Sequence, residues 1–144
     1  MPKPSEVMSL VATIDPDANA ASSYTTDYVD MEFWGGIYAI VYAGILGGTG
    51  TLNAKLLQAT SSTGAGAATI VGKSITALTT ASNDKQAVIE LQPDELDVAG
   101  GFKFVALRVI SVATSDWGAA VYGVFPRFGP ASANDLASVA QIVA

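Results

Sequence analysis

Short strand-like stretches of apolar residues, several of which alternate with polar ones, recur along this chain, and turn-forming residues separate the stretches. Val105, Leu107 and Val109, for example, fall on one face of a strand and the residues between them on the other. Short stretches at regular spacing, without helices between them, predict an all-β protein rather than alternating strands and helices. The predicted strands are Ser9–Ile14, Ser23–Met31, Ile37–Leu46, Thr51–Thr60, Thr69–Thr76, Gln86–Gln92, Phe102–Val112 and Trp117–Phe128.

The stretch from Phe33 to Ala54 contains no charged residue and has the length of a helix that crosses a bilayer. Its many glycines and its β-branched and aromatic residues favour strands and turns instead. The pattern predicts a β-hairpin, in which Ile37–Leu46 and Thr51–Thr60 pair around a turn at Gly47–Gly50. The unbroken apolar character of the first strand indicates that both of its faces are covered. We therefore expect no membrane partner.

A helical pattern occurs only near the C-terminus, where Leu136, Val139 and Ile142 recur at helical spacing after Asn134 or Ser132 as a cap. We predict three regions: an extended N-terminal arm over residues 1–7, one β-domain over 8–130 and a short helical tail over 131–144. The strand pattern is compatible with a sandwich, a barrel or a jelly roll. We see no internal repeat and no linker between domains.

The chain has no histidine and no cysteine, which excludes the usual nucleophile–base pairs, disulfides and zinc ligand sets. A pair of carboxylates could still act as acid and base. The candidates lie at turn-like segments, where acidic residues commonly cap, and we predict that the chain is not an enzyme and needs no cofactor. These candidates are Asp27 with Asp30 or Glu32, and Asp94 with Glu95 and Asp97.

Asp15, Asp17 and Asn19 have the alternate spacing with which a calcium loop begins. The pattern then fails, because Ala20 stands where the sharp-turn glycine belongs and Thr26 where the closing glutamate belongs. The segment is interpreted as a turn that ends the first strand, and no metal site is predicted.

Charged residues make up 14% of the chain and give a net charge of −6. The acidic balance argues against a nucleic-acid partner. A surface with so few charges is explained by contact with copies of the chain or with a partner, and equally by a plain compact β-domain. The first ten residues lack the features of a signal peptide, so synthesis in the cytoplasm is expected.

Large aromatic residues cluster at the ends of predicted strands, where they act either as lids on the core or as anchors of a subunit interface. The segment around "FPRFGP" looks like an extended exit that could lie on a neighbouring subunit. The candidate interface residues are Phe33, Trp34, Trp117, Phe125, Arg127 and Phe128.

Three segments carry a resemblance to a known family: "DYVDMEFWGGIYAIVYAGIL", "LNAKLLQATSSTGAGAATIVGKSIT" and "ELDVAGGFKFVALRVISV…WGAAVYGVFPRFGPAS". Across residues 24–131 the chain resembles the jelly-roll cement or decoration proteins of tailed bacteriophages, of the type found on a short-tailed Bordetella phage. The resemblance implies a jelly-roll-like β-sandwich of about eight strands. It also implies a structural role on the capsid exterior, in which the protein forms a homodimer or homotrimer and binds the major capsid protein. No motif of functional residues comes with this resemblance.

Two other functions remain open at this point. A neck, tail or fibre component of a virion could use the same β-sandwich. A carbohydrate-binding or glycosidic module could use Trp34 and Trp117 together with the acidic turns.

Overall fold

Two antiparallel β-sheets face each other in the computed structural model, which describes residues 1–131, 134–135 and 137–143. A short helix, α1 (Pro4–Val7), precedes the first strand, and single 3-10 turns lie at Thr80–Ser82 and Pro93–Glu95. The strands of the described residues are β1 (Met8–Asn19), β2 (Ser22–Thr25), β3 (Val29–Asp30), β4 (Trp34–Ala43), β5 (Leu52–Ala59), β6 (Ala68–Ser74), β7 (Gln86–Leu91), β8 (Phe104–Ser111) and β9 (Ser115–Pro126).

The strand order is β1-β9-β4-β7 in one sheet and β2-β8-β5-β6 in the other, and β3 pairs with β8 beyond the end of β2. The pairs are nested: β5 pairs with β6, β4 with β7, β2 and β3 with β8, and β1 with β9. One long hairpin of this kind, rolled up into two sheets, is a jelly roll. The predicted fold class is therefore confirmed.

The core lies between the sheets and is filled by alternate residues of each strand. Val105, Leu107 and Val109 of β8 are buried there, as the alternation predicts. Ile37 and Val41 face them from β4 of the other sheet and are also buried. The rest of the core consists of leucine, isoleucine, valine and alanine side chains together with Met31, Trp34 and Trp117.

The hairpin predicted around Gly47–Gly50 is wrong. β4 pairs with β7 and β9, whereas β5 pairs with β6 and β8 in the opposite sheet. The segment between them crosses from one sheet to the other, with Leu46 buried on the way. The pattern of β4 requires a neighbouring strand on each side but does not specify which strand, and distant segments supply both neighbours.

The second face of β4 is not covered, contrary to the prediction from its unbroken apolar sequence. Ile37 and Val41 point into the core, but Tyr38, Ile40 and Tyr42 alternate with inward residues and lie on the outer surface of the sheet. Tyr42 remains 44% exposed. The large apolar side chains on this outer face therefore contact solvent in the isolated chain.

The first strand is longer than predicted, because it continues through "DPDAN" to Asn19. The register of its pairing with β9 shifts between Ile14 and Asp17, and Pro16 lies at this shift. Gly118 lies opposite, where a Cβ atom would come within 2.8 Å of the Pro16 Cα atom. Proline is tolerated in an edge strand at such a bulge, so the turn expected here is a bulge that the glycine makes possible.

Both ends of the chain differ from the prediction. Pro4–Val7 forms one helical turn rather than an extended arm. The tail helix is absent from the described residues, where the Ser138 and Val139 amides donate to the Asp135 carbonyl in a single turn. Leu136 and the alternative cap Ser132 lie outside the described residues.

The C-terminal segment lies along the edge of β1 instead. The Asp135 amide donates to the Leu10 carbonyl at 2.7 Å, and the Leu10 amide donates to the Asn134 side-chain oxygen at 3.0 Å. The Ala131 amide also donates to the carbonyl of Glu6 in α1, at 3.0 Å. The two bonds to Leu10 satisfy backbone groups that the edge of β1 would otherwise expose. The division into arm, domain and tail at residues 7 and 130 stays a prediction.

Candidate functional site: an exposed aromatic corner

β4 begins and β9 ends at the same corner of the sandwich, because Trp34 pairs with Pro126. Three phenylalanines project from this corner into solvent. Phe33 is 52% exposed, Phe125 70% and Phe128 73%. Together with the exposed Arg127 they form what we call the aromatic corner. Contiguous exposed apolar groups of this kind mark interaction sites on soluble proteins.

Backbone contacts fix the position of the aromatic corner. The Arg127 amide donates to the Phe33 carbonyl at 2.9 Å, and the Arg127 Nε donates to the Trp34 carbonyl at 3.2 Å. The Phe33 and Phe128 rings meet edge to face, with centroids 6.1 Å apart and an interplanar angle of 76°. Side chains that are already ordered lose less conformational entropy when a partner binds.

Phe125 has a strained backbone, with a φ angle of +54°. This left-handed region is costly for a residue with a Cβ atom, by about 1–2 kcal/mol. Gly35 on the neighbouring strand leaves room for the distortion, since a Cβ atom there would lie 2.9 Å from the Phe125 carbonyl oxygen. Strain of this kind persists where the surrounding structure enforces it, and it concentrates at functional positions.

The two tryptophans of the predicted interface set lie in the core. Trp34 is 4% exposed and packs over Gly123, where an added Cβ atom would collide with the indole. Trp117 is 3% exposed and meets Tyr24 edge to face at 5.1 Å. Its Nε1 atom has no hydrogen-bond partner among the described residues. For these two residues the lid interpretation therefore describes the folded chain, while an interface role of the whole set of six stays a prediction.

An apolar hollow of about 260 Å³ adjoins the aromatic corner and is lined by Met31, Leu96, Phe102 and Arg127 among others. Glu32 at its rim pairs with Lys103 at 2.9 Å. This hydrogen bond and the charge of Glu32 raise the pKa of Lys103. Arg127 forms no salt bridge with any described residue. The aromatic corner thus presents three rings and a cation whose charge is available to a partner.

Three of the six acidic candidates for catalysis, Asp30, Glu95 and Asp97, hold turns together. Glu95 Oε2 accepts from the Gln92 amide at 2.7 Å and Oε1 contacts Lys73 Nζ at 2.9 Å, and these two bonds lower the pKa of Glu95. Asp97 accepts from the Gly100 amide at 3.0 Å. Asp30 accepts from the Glu32 amide at 2.9 Å. Each contact is that of a cap rather than of an acid–base pair.

The residues that resemble the start of a calcium loop are held in strand β1. Asn19 donates from its side-chain amide to the Asp15 and Trp117 carbonyls, at 3.2 and 2.9 Å. Within the described ranges no three acidic side chains gather into a set that could hold a metal ion. No helix in those ranges has both the length and the apolar character needed to cross a bilayer.

No protein-family model and no curated protein sequence matches this chain. Among solved structures, a chain of the cowpea mosaic virus empty virus-like particle superposes with a TM-score of 0.50 at 11% identity, over 92% of this chain and 87% of that one. A chain of broad bean stain virus gives a TM-score of 0.45 at 9% identity, over 99% and 97%. A carbohydrate-binding module that recognises mannan gives 0.38 at 11% identity, over 78% and 68%.

The first of these likenesses shows that the chain shares a fold with a virus-particle protein. At 11% identity it concerns the fold alone. The two lower scores add no argument.

Sequence reasoning placed Phe33, Phe125, Arg127 and Phe128 in the candidate set but did not find how they meet. The signal available was the pair of aromatic clusters before β4 and at the end of β9. The pairing of those two strands, which brings the clusters together, involves segments far apart in the chain. The strained φ of Phe125 left no mark in the sequence, since phenylalanine is an unusual residue for that conformation.

Proposed function

We propose that this chain is a virion structural protein, and more narrowly a cement or decoration protein that binds the outside of a phage head. It stabilises contacts between major capsid subunits and associates with itself. The observation that carries this proposal is the aromatic corner: a cation and three exposed rings, two of which meet edge to face, at one corner of the jelly roll. The fold shared with a virus-particle chain and the resemblance of residues 24–131 to cement proteins support it.

The aromatic corner would act as the anchor of shell binding. Its rings suit an apolar pocket on the major capsid protein, and Arg127 suits a carboxylate or a carbonyl at the rim of that pocket. Each contact can be modest, because repeated contacts across a closed shell add through multivalency. The net charge of −6 keeps the protein soluble before assembly and away from DNA.

A neck, tail or fibre position is the second candidate, and copy number separates it from decoration. The carbohydrate-binding alternative needs exposed aromatic rings on which a sugar can stack. Trp34 and Trp117, on which that alternative depended, are buried and cannot offer such a platform in the folded chain.

Quantitative mass spectrometry of purified particles tests the proposal by counting this chain against the major capsid protein. A ratio near one, or a simple fraction of it, is the expected result for a protein spread across the shell. A handful of copies per particle would overturn decoration in favour of a neck or tail position. Absence from particles would overturn the virion role altogether.

A further inference from the structure

The strands at the ends of the two sheets are β1, β7, β2 and β6, and they differ in how their edges are protected. β1 has two register shifts, and the C-terminal segment bonds to the backbone of its Leu10. β2 has only four residues, and β6 contains Gly72 at a φ angle of +79°. β7 (Gln86–Leu91), in contrast, pairs with β4 over six consecutive positions without a shift. Bulges, short lengths and covering segments are the usual means of shielding an edge, and β7 has none of them among the described residues.

The hydrogen bonds of β4 determine which backbone groups of β7 point away from the sheet. The Ala43 amide donates to the Lys85 carbonyl at 2.9 Å, whereas the next amide, that of Gly44, donates to the Asp116 carbonyl on the β9 side at 2.7 Å. Successive residues of an antiparallel strand bond to opposite neighbours, so the odd-numbered residues of β7 bond to β4. The backbone groups that point away from β4 are those of Gln86, Val88 and Glu90.

We call the outward-pointing backbone of Gln86, Val88 and Glu90 the open edge. β7 has no second neighbour in its sheet, and no other described residue bonds to these N–H and C=O groups. The side chains of the same three residues are exposed as well. The open edge therefore presents a regular row of unpaired donors and acceptors, which an extended chain can satisfy.

Hollows lie on both sides of the open edge. One of about 530 Å³ reaches the outer face of the sheet and is lined by Tyr38, Glu90 and Phe125 among others. The other, of about 370 Å³, lies between the edges of β6 and β7 and is lined in part by Ile75 and Ile89. Successive side chains of an added strand would point alternately to these two sides, and both sides have space for them.

Charge at the open edge indicates which kind of chain fits it. Glu90 forms no salt bridge with any described residue, since the neighbouring Lys73 is paired with Glu95 at 2.9 Å. Oppositely charged residues that face each other across an antiparallel pair attract. The open edge therefore favours a strand with a lysine or an arginine opposite Glu90.

A second copy of this chain does not supply that basic residue. An antiparallel pair that bonds through two open edges matches even-numbered residues of one copy with even-numbered residues of the other. Glu90 then lies opposite Gln86 or Val88, and never opposite Lys85. Two copies with a net charge of −6 also repel each other. The partner that fits the open edge is therefore a different chain.

We propose that the open edge binds an extended segment of the major capsid protein as an added antiparallel strand, with a basic residue opposite Glu90 and an apolar residue opposite Val88. The identity of this partner rests on the proposed function. The contact adjoins the aromatic corner, because Phe125 lines the hollow beside the open edge. Main-chain hydrogen bonds supply the affinity, and the residues opposite Glu90 and Val88 supply the specificity.

Hydrogen exchange of the full chain gives the first test. In the free chain the Val88 and Glu90 amides should exchange faster than the Ile89 amide, which bonds to β4. The probe is the synthetic peptide acetyl-Lys-Val-Val-Thr-Thr-amide at millimolar concentration, and it should slow exchange at Val88 and Glu90. The same peptide with glutamate in place of lysine should bind about five-fold more weakly in an NMR titration.

Val88→Pro tests the backbone contact directly. Proline at this position removes an N–H group from the open edge without removing a bond to β4, which is the position that sheets tolerate. Val88→Thr is the matched control, because it keeps the N–H group. Val88→Pro should bind the peptide, and capsids assembled without this chain, at least about ten-fold more weakly than Val88→Thr. Circular dichroism verifies that both variants are folded.

Glu90→Lys tests the charge contact without altering the backbone. This variant should reverse the preference, so that the peptide with glutamate binds more tightly than the peptide with lysine. The reversal is a readout that a general loss of stability would not produce.

The proposal would be overturned by a Val88 amide that is already protected in the free chain at low concentration, or by equal peptide binding of Val88→Pro and Val88→Thr. Protection that appears only as the chain is concentrated, without peptide, would identify a second copy as the occupant instead. If the wild type binds the peptide as expected but does not bind capsids, the cement function is wrong, and with it the capsid segment as the partner. If it binds capsids and Val88→Pro binds them equally well, the cement function stands and the open edge is not part of the contact.

Discussion

Phe33 and Phe128 lie far apart in the sequence, and their rings meet edge to face with centroids 6.1 Å apart. Phe33 precedes β4 and Phe128 follows β9, so this contact forms only when those two strands are paired. The pair is nevertheless largely exposed to solvent, and it contributes little to the core. Its fixed geometry therefore matters more for what the aromatic corner can bind than for the stability of the fold.

Phe128→Ala should weaken binding to capsids assembled without this chain by about 2 kcal/mol or more, as for a central aromatic anchor. The melting temperature should hardly change, because the ring is 73% exposed. Co-sedimentation with such capsids measures the first quantity and calorimetry the second. Trp34→Ala provides the contrast: its ring is 4% exposed, and its loss should cost about 3–5 kcal/mol of folding free energy. Unchanged shell binding by Phe128→Ala would remove that ring from the interface.

Replacing Phe125 separates strain from binding. Phe125→Gly and Phe125→Ala both remove the exposed ring, but only glycine relieves the φ angle of +54°. We expect the glycine variant to be more stable than the alanine variant by about 1 kcal/mol, measured by urea unfolding. Both variants should bind capsids more weakly than the wild type. Equal stability of the two would mean that the backbone at this position carries no strain.

Asn134→Ala should loosen the edge of β1. The variant leaves the Leu10 amide without the side-chain oxygen that accepts from it at 3.0 Å, and should cost about 1 kcal/mol of folding free energy. Hydrogen exchange at Leu10 should accelerate more than exchange in the central strand β4. Asn134→Asp keeps an acceptor oxygen and should retain most of the protection. If both variants exchange like the wild type, the tail does not seal this edge in solution.

Glu95→Gln should remove part of the acid dependence of stability. Hydrogen bonds from the Gln92 amide and then from Lys73 hold the pKa of Glu95 below its ordinary value of 4.5. A carboxylate with a lowered pKa stabilises the fold above its unfolded pKa, and this stabilisation disappears as the pH falls through the folded pKa. The side chain is 39% exposed, so solvent screening limits the effect to a few tenths of a kcal/mol at neutral pH.

Urea unfolding of the wild type and Glu95→Gln across pH 2–7 measures this difference. The two stabilities should converge at the acid end of the range, where the wild-type carboxyl group is also neutral. Lys73→Met should have a smaller effect than Glu95→Gln, because the Gln92 amide remains. A gap between wild type and Glu95→Gln that is constant over the whole range would contradict the assignment.

The fold class could be predicted from the sequence because burial on one face of a strand imposes a period of two. β8 shows this most clearly, with Val105, Leu107 and Val109 inward as predicted. Strand pairing could not be predicted in the same way. The apolar pattern of β4 is satisfied equally by β5 and by β7 with β9, and only the packing of the whole chain decides between them.

The residue types of the aromatic corner could be predicted from the sequence, but their burial could not, for a related reason. Large aromatic residues near strand ends are visible in the sequence, but burial distinguishes Trp34 from Phe33, although the two are adjacent. Gly123 on β9 leaves space for the Trp34 indole. No residue near Trp34 in the sequence indicates that this space exists. The bulge at Pro16 has the same origin, since Gly118 on a distant strand permits it.

The nested pairing of the strands has a consequence for how this protein is made. Met8 pairs with Val124, so within the sandwich the strand that is synthesised first gains its neighbour only after the last strand has been made. Contacts of such high sequence separation are slow to form, because a long loop must close before they stabilise the chain. The residues of the aromatic corner from Phe125 onward are synthesised at the end of the sandwich. A chain in which β9 has not yet been made or has not paired with β4 lacks the complete aromatic corner. The aromatic corner is therefore formed only in the completely folded sandwich.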